Sequence, residues 1–474
     1  MAGGPSPSSA YPSSAAQSVY LGPGAGATSS FSSTYHFNVN YIDDEHELPP
    51  PTGPRIPPMM SGNLYEVNTI PDDQRDLLTH YLYNVLPIQY LLADSSIKSF
   101  MLRLLQHSAP ARDAACVLSA FHMHSARFPL RTHSADMDAI YQRIERSLSS
   151  KHSYSEGDAM AGLHIVSAFL FRGGRGQWAA YLNIASQYVD SMLNSPNFYG
   201  PEDVLKKCSD STRFIIKTTM WFDVLASVTT LQVPRFLETY RLLFGRTTAY
   251  IDDPVSTSPE VSMLPVMGCE NQIVLALAEI SNLAHWKESQ RRRGSLSVPQ
   301  LVERGLEIDS KYLATAPGAY GPRGFDPTTT DPEVAARRRL TNDIFRASAR
   351  VYLHTVLSGD HPACPEILTS VAETIECLRR VPQDNPTMSR SVLRSVVFSI
   401  CIAGCLTDDH RHRMFLTQLL ESQQSRQSDN VGNISEVRAL MEKVWLRRDS
   451  TQGQPVNWRD VMREESQNDL LLLV

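Results

Sequence analysis

The apolar residues of this chain recur at helical spacing in one segment after another from residue 71 to residue 464. The clearest segment begins with Asp331 as an N-cap and Pro332 at the first helical position, and it ends at Gly359. Its apolar stripe consists of Leu340, Ile344, Ala347 and Val351. Alternation with a period of two residues is scarce, so no sheet of any size is expected. The sequence therefore predicts an all-α fold, with antiparallel helical hairpins stacked as an irregular bundle or α-solenoid.

Connections rich in Pro, Gly and Ser separate the predicted helices. The first helix is expected to open at Pro71 and to be interrupted at Pro87. The later helices are predicted near 95–107, 111–126, 134–149, 156–171, 176–194, 202–231, 234–244, 267–289, 298–314, 331–358, 365–380, 390–405, 408–424, 434–447 and 456–464. No repeat of fixed period names a known solenoid family.

Residues 1–70 differ in composition from the rest of the chain. Ten of the 30 prolines lie before residue 60, and no Lys or Arg precedes Arg55. Such a segment buries too little apolar area to offset a backbone entropy of about 1–2 kcal/mol per residue, so we expect disorder. The predicted organisation is a disordered lead (1–70), one helical domain (71–464) and a C-terminal tail (465–474). Within the lead, Tyr35 to Leu48 interleaves aromatic and acidic residues, as expected either of a plain linker or of a segment that folds onto a partner.

Composition limits the classes of protein to which the chain can belong. A net charge of −6 gives no general affinity for nucleic acid, and 42% hydrophobic residues are enough for a substantial core. The seven cysteines are scattered, which is typical of thiols in a reducing compartment. The N-terminus lacks the pattern of a secretory signal, and the longest apolar run, Val396 to Leu406, is too short to cross a bilayer of about 30 Å. We expect a soluble intracellular protein without membrane contact.

Cys401 and Cys405, with His410 and His412 nearby, form the best candidate for a metal site. Their spacing puts both sulfurs on one face of a helix, and structural zinc favours cysteine and histidine ligands. The rest of this helix is apolar, however, so we interpret both thiols as buried core residues. The sequence thus predicts no metal and no other cofactor.

One enzyme class deserves comparison, because all-helical terpene synthases hold magnesium with clustered carboxylates. Asp43 and Asp44 begin an Asp-Asp-x-x-Glu pattern of that kind, but they lie in the Pro-rich lead where no helix would present them. Asn342 begins the second magnesium pattern, yet Arg346 and Arg350 stand where oxygen ligands belong. Both halves therefore fail, and the sequence predicts no catalytic residue and no enzyme.

A basic run, Arg291-Arg292-Arg293, precedes Gly294 and Ser295 in a predicted loop. It fits part of a nuclear-import signal, or a site where a basophilic kinase would phosphorylate Ser295. The alternative is a solvated loop whose arginines suit the negative end of the preceding helix dipole.

Several segments are more particular than a helical pattern requires. They are Met267 to Glu288 (MGCENQIVLALAEISNLAHWKE), Trp221 to Thr229 (WFDVLASVT), Ile402 to Cys405 (IAGC), Val444-Trp445 and Asn457 to Met462 (NWRDVM). Together they resemble the fungal-specific transcription factor domain, the helical region that follows a binuclear zinc cluster in many fungal activators. The resemblance runs from about Pro71 to Met462. It implies a nuclear regulator of RNA polymerase II genes, with roles in autoinhibition, dimer contacts and effector sensing.

Nine residues of these segments, here called the signature residues, are expected to be structural. They are Trp221, Asp223, Gly268, Cys269, Glu270, Glu279, Trp286, Gly404 and Trp445. Buried tryptophans direct the indole N–H to a carbonyl or carboxylate, which would account for the acidic residues Glu279 and Asp223 nearby. Trp286 is expected to be buried, so its replacement by alanine would cost about 3–5 kcal/mol.

The family's zinc cluster needs six cysteines in two close-spaced sets. The first cysteine here is Cys116, and no Cys-x2-Cys pair occurs in the chain. We therefore expect no direct DNA binding by this chain, and homodimerisation or contact with other transcription regulators instead. Two classes remain open. One is a transcription regulator, acting without its own zinc cluster or with one encoded upstream, and the other is a helical protein-binding scaffold that has lost DNA contact.

Overall fold

A computed structural model describes residues 70–93, 96–127, 142–148, 151–245, 258–314, 329, 331–424, 431–451, 453–464 and 470–474. These residues form helices and connections without a strand, which confirms the all-α, bundle-like prediction. The helices are α1 (Asp72–His80), α2 (Ile97–His107), α3 (Ala109–Arg127), α4 (Glu156–Phe171), α5 (Trp178–Leu193), α6 (Pro201–Lys207), α7 (Asp210–Thr230), α8 (Leu237–Phe244), α9 (Asn271–Arg292), α10 (Val298–Ile308), α11 (Pro332–Ser358), α12 (Pro365–Arg379), α13 (Pro386–Ser395), α14 (Val397–Cys405), α15 (His410–Gln424), α16 (Ile434–Ser450) and α17 (Trp458–Glu464). Single π turns, Tyr81–Val85 and Asp309–Leu313, extend α1 and α10, single helical turns are formed by Leu86–Gln89 and Leu264–Met267, and residues 142–148 are helical as well.

The start of α11 follows the predicted capping chemistry. Asp331 accepts hydrogen bonds at Oδ1 from the N–H groups of Glu333 (2.8 Å) and Val334 (3.4 Å). Pro332 occupies the first turn, where a missing N–H costs nothing. The helix ends at Gly359, whose φ of +85° is a conformation that side chains disfavour.

Two predicted helices are each two helices in the structure. The segment near 202–231 breaks at Cys208, and Ser209 caps α7 by accepting the N–H of Thr212 at 3.0 Å. The segment near 390–405 divides into α13 and α14, which meet at 68°. The bend at Val396 was not predicted because apolar residues continue through it, whereas the break at Cys208 does carry a signal in the sequence, the N-cap residue Ser209.

No single described helix is long and apolar enough to span a membrane, and only the bent pair of α13 and α14 passes a test of length and composition. All nine residues of α14 are buried in the fold.

The core surrounds α9, which contacts α7, α8, α10 and α11. Six consecutive residues, Ile273 to Ala278, are fully buried, so this part of the helix is covered on every side rather than along one stripe. Helices that follow each other along the chain also pack together, as α3 does with α4, α4 with α5, and α11 with α12. The contact between α9 and α11 positions the signature residue Glu270, which binds Asn342 and Arg346 of α11.

The last described residues, 470–474, pack against the helices. Leu471, Leu472 and Leu473 are buried in the core, although the sequence suggests a tail. The Trp178 indole N–H donates to the carbonyl of Leu470 at 2.8 Å, and the N–H of Leu472 donates to the carbonyl of Gly174 at 2.8 Å. The last five residues therefore belong to the helical domain.

Candidate functional site

The signature residues Gly268, Cys269 and Glu270 form the turn that leads into α9. Gly268 has a φ of +63°, and a Cβ atom there would lie 2.5 Å from Leu92 Cδ1. Cys269 is fully buried, and this burial raises the pKa of its thiol well above the ordinary value. Only glycine fits the first position, and a small apolar side chain suits the second.

Glu270 attaches this turn to the middle of α11. Its Oε2 accepts a hydrogen bond from the Arg346 guanidinium at 2.8 Å, and its backbone N–H donates to Asn342 Oδ1 at 2.9 Å. The Arg346 side chain is only 4% exposed, whereas that of Glu270 is 27% exposed. Burial raises the pKa of Glu270, and the charge of Arg346 opposes this effect. The pair therefore supplies the counter-charge for a buried guanidinium.

The residues at the second magnesium pattern of the sequence all make structural hydrogen bonds or ion pairs. Asn342 is bound to the backbone of Glu270, Arg346 to its carboxylate, and Arg350 to Glu373 at 3.0 Å. The first half of that pattern, at Asp43 and Asp44, lies outside the described residues.

Asp223 ties the end of α7 to the start of α8. Its carboxylate accepts the N–H groups of Arg235 (3.0 Å) and Phe236 (3.2 Å), and the Tyr240 hydroxyl at 2.9 Å. Burial raises the pKa of Asp223 to about 6, although all three hydrogen bonds favour the ionised form. No indole N–H is among these donors, so the predicted pairing of a tryptophan with Asp223 is wrong.

Gly404 and Trp445, which are 41 residues apart, are in contact. The Trp445 indole N–H donates to the Gly404 carbonyl at 2.8 Å, as expected of a buried tryptophan. A Cβ on Gly404 would lie 2.5 Å from Met441 Cε, so glycine allows α14 and α16 to approach each other closely.

Cys401 and Cys405 lie in α14 as fully buried free thiols. Trp221, also buried, packs edge-on against Phe345 at 5.0 Å between ring centroids.

Glu279 lies on α9 and binds Arg241 of α8 through two hydrogen bonds. The distances are 2.6 Å from Nε to Oε1 and 2.7 Å from the terminal nitrogen to Oε2. This bidentate pair raises the pKa of Arg241 still further. The carboxylate that was expected to accept an indole N–H therefore accepts two hydrogen bonds from a guanidinium instead.

Beside this pair is an open groove, here called the Trp286 groove, with a volume of about 460 Å³. Its lining includes Arg241, Glu279, Trp286, Arg304, Glu307, Lys311 and Tyr312. Trp286 is only half-buried, so the prediction of a buried tryptophan is wrong, and the Arg304 guanidinium lies 4.3 Å from its ring centroid. Lys311 lies 5.1 Å from the ring centroid of Tyr312. Arg304 and Lys311 form no ion pair with any residue in the described ranges.

Arg304 and Lys311 could not be predicted as part of this groove, because nothing in the sequence distinguishes them from ordinary solvent-exposed charged residues. Arginine, tryptophan and tyrosine are the residue types enriched at the centres of protein–protein contacts. The groove is therefore the most distinctive polar site among the signature residues.

The basic run belongs to the end of α9 rather than to a loop. Arg291 and Arg292 lie in the last turn, and each pairs with Glu288 at 2.9 Å. Gly294 has a φ of +67°, and the Ser295 N–H donates to the Gln290 carbonyl at 3.0 Å, which closes the helix. Ser295 is exposed, and its hydroxyl donates to Gln290 Oε1 at 2.7 Å.

Comparison with known proteins identifies relatives along most of the chain. The chain is 21% identical to a trichothecene biosynthesis transcription regulator of Fusarium sporotrichioides, over 82% of this chain and 95% of that protein. The corresponding regulator of Trichoderma arundinaceum is 22% identical over 84% of this chain and 97% of its own length. A transcription factor of a Nectria species is 21% identical over 79% of this chain, which spans 62% of that protein.

No solved structure matches the chain. The model of the fungal specific transcription factor domain matches residues 76–473, which include every signature residue and the buried C-terminal segment. The chain therefore belongs to the family of the fungal-specific transcription factor domain.

Proposed function

We propose that this chain is the helical regulatory region of a fungal transcription regulator that controls RNA polymerase II genes of one biosynthetic pathway, and that it is not an enzyme. The carrying observation is the alignment with two regulators of trichothecene biosynthesis over 95% and 97% of their lengths. The signature residues support this role, because their carboxylates and thiols serve hydrogen bonds, ion pairs and the core. The proposed location is the nucleus.

Self-association is proposed to occur through α10. Val298, Val302 and Leu306 recur every fourth residue along one side of this helix and are 60%, 42% and 60% exposed. Leu301, Gly305 and Ile308 on another side are buried, so α10 has a second apolar stripe that the fold leaves uncovered. A two-fold pairing would bury the stripe against its own copy, which makes a second copy of this chain the proposed partner.

The Trp286 groove is proposed as the contact for another transcription regulator. Arg304 and Lys311 bring positive charge to the groove, partly balanced by Glu279 and Glu307, while Trp286 and Tyr312 offer ring surface. An acidic segment with an aromatic side chain would match both features.

The test is deletion of the gene in the fungus that encodes it, followed by measurement of all transcripts. We expect coordinated loss of the transcripts of one biosynthetic pathway, restored by the wild-type gene and not by a Trp445→Ala variant. A fluorescent fusion should accumulate in the nucleus. The alternative of a protein-binding scaffold predicts unchanged transcripts together with an altered protein complex.

The purified chain should bind promoter duplexes no better than unrelated duplexes. Its net charge is −6, and any background binding should be in the non-specific range of roughly 10⁻⁴ to 10⁻⁶ M at physiological salt. Sequence-specific submicromolar binding would contradict the expectation that this chain does not bind DNA directly.

A further inference from the structure

A buried lysine, Lys217, lies in the first half of α7. Lys217 is 3% exposed, and its ammonium group donates to the carbonyls of Ser262 (2.6 Å) and Pro259 (3.3 Å). An ammonium has three N–H donors, and these two neutral carbonyls are its acceptors in the described ranges. No carboxylate of the described ranges lies within ion-pair distance, so none of them gives the buried ammonium a paired counter-charge.

The groups around Lys217 do not neutralise it. Arg213, one turn earlier, adds a like charge, although it is itself paired with Asp210 at 2.7 Å. Glu260, in the connection before α9, is the carboxylate that acts on Lys217, and it is partly exposed and forms no ion pair with the ammonium at hydrogen-bond distance. Cys208 also acts to raise the pKa of Lys217. Burial dominates and lowers the pKa of Lys217 to about 8.

Lys217 lines a pocket of about 260 Å³ between α2, α7 and the connection that precedes α9, and the paired Arg213 and Asp210 line it as well. Phe100 and Phe214 form an aromatic wall, with their ring centroids 5.4 Å apart, and Pro265 and Val266 extend the apolar surface. Ser96 and Ser99 bring the N-terminal turn of α2 to the same pocket, where the helix dipole favours negative charge. The volume is below the range of about 300–1,000 Å³ that is usual for drug-sized ligands.

We propose that this pocket, here called the Lys217 pocket, binds a small organic anion whose carboxylate neutralises Lys217 and whose apolar body rests on Phe100 and Phe214. A carboxylate would supply the missing counter-charge and accept the remaining N–H of the ammonium. The aromatic wall would bury a ring or short alkyl chain. Binding here does not depend on the proposed regulatory role, since the pocket needs only the folded chain.

The test is titration calorimetry of the full chain with benzoate, phenylacetate and hexanoate, with benzamide as the neutral counterpart of benzoate. At constant ionic strength, we expect at least one of the three carboxylates to bind. Benzamide should bind at least about tenfold more weakly, because it carries no charge to neutralise the buried ammonium of Lys217. Between pH 7 and pH 9 the affinity should fall about tenfold, since a lysine with a pKa of about 8 loses most of its charge over that interval.

The matched variants are Lys217→Met, which keeps the length of the side chain, and Lys206→Met, which removes an exposed lysine paired with Glu202. Carboxylate binding should be lost in the first and kept in the second. If Lys217→Met does not fold, the wild-type protein still tests the proposal. Binding of the carboxylate at pH 8 should be accompanied by uptake of about half a proton. This uptake is measured by repeating the calorimetry in buffers of different ionisation enthalpy. Absence of binding by all three carboxylates, equal binding of benzamide, or binding without proton uptake would overturn the proposal.

Discussion

Glu270 and Arg346 join the first turn of α9 to the middle of α11 through one hydrogen-bonded ion pair of 2.8 Å. The two residues are 76 positions apart, and the arginine is almost completely buried. Three neighbouring positions cooperate in this junction, because Gly268 allows the close turn, Cys269 fills the core and Asn342 receives the backbone N–H of Glu270. The motif Gly-Cys-Glu is thus a joint between two central helices.

Replacing Glu270 by alanine should destabilise the fold by about 2–3 kcal/mol, because it removes the carboxylate that pairs with the almost completely buried guanidinium of Arg346. The matched control is Glu202→Ala, which breaks an exposed pair with Lys206 and should cost less than about 0.5 kcal/mol. Urea unfolding of the three proteins provides the measurement. Equal midpoints for wild type and Glu270→Ala would mean that the pair contributes nothing to the junction.

The Asp223→Asn variant should show a pH-dependent penalty. The folded pKa of about 6 lies above the unfolded value of about 3.9, so the protonated carboxyl is favoured by folding. Its contribution to stability is full below about pH 4 and is lost as the pH rises through 6. The advantage of the wild type over the variant should therefore shrink between pH 4 and pH 7, by up to roughly 2.5 kcal/mol, since each pKa unit corresponds to about 1.4 kcal/mol. Thermal melting at both pH values measures it, and a constant difference would contradict the raised pKa.

The order and approximate bounds of the helices could be predicted, because each helix carries its own periodicity and capping residues. The prediction of 156–171 agrees with α4, whose start Ser155 and Asp158 form a capping box. Breaks were missed where apolar residues continue through them, as at Val396 between α13 and α14. The burial of Leu471 to Leu473 was also missed, because three leucines in a short segment carry no helical period.

The candidate sites were harder to predict than the fold. Sequence resemblance selected Glu279 and Trp286, but their partners Arg241 and Arg304 come from other helices and have no motif of their own. Lys217 did leave a signal, since it stands among the apolar residues Phe214, Ile215 and Ile216 of α7. A charged residue inside an apolar run indicates either a buried ion pair or a binding site, and only coordinates distinguish the two.

Aspartate at Val302 and Leu306 should abolish self-association, because two buried charges cannot face each other across a two-fold pairing. The control is Leu446→Asp, which changes a leucine on α16 that is 71% exposed and outside the α10 stripe. Light scattering after gel filtration should show a dimer for wild type and the control, and a monomer for the double variant. A monomeric wild type, or a dimeric double variant, would contradict pairing through α10.

Ser295 should be phosphorylated by a basophilic kinase, because Arg292 and Arg293 lie three and two residues before an exposed hydroxyl. The Ser295→Ala variant should lose the phosphate detected by mass spectrometry. Ser297→Ala is the control, since the Ser297 hydroxyl accepts the Gln300 N–H and caps α10. Phosphate that persists in Ser295→Ala would show that a different residue is phosphorylated.

Two tryptophan variants separate structural from functional signature residues. Trp445→Ala removes a buried ring and its hydrogen bond to Gly404, so it should cost about 3–5 kcal/mol. Trp286→Ala removes a half-buried ring from the Trp286 groove and should cost only about 1–2 kcal/mol, because less apolar area leaves the core. At a temperature where both the wild type and Trp286→Ala remain folded, this variant should still fail to restore pathway transcripts in the deletion strain. Full restoration by Trp286→Ala would show that the groove contacts no regulator, and a loss of stability equal to that of Trp445→Ala would return Trp286 to a purely structural role.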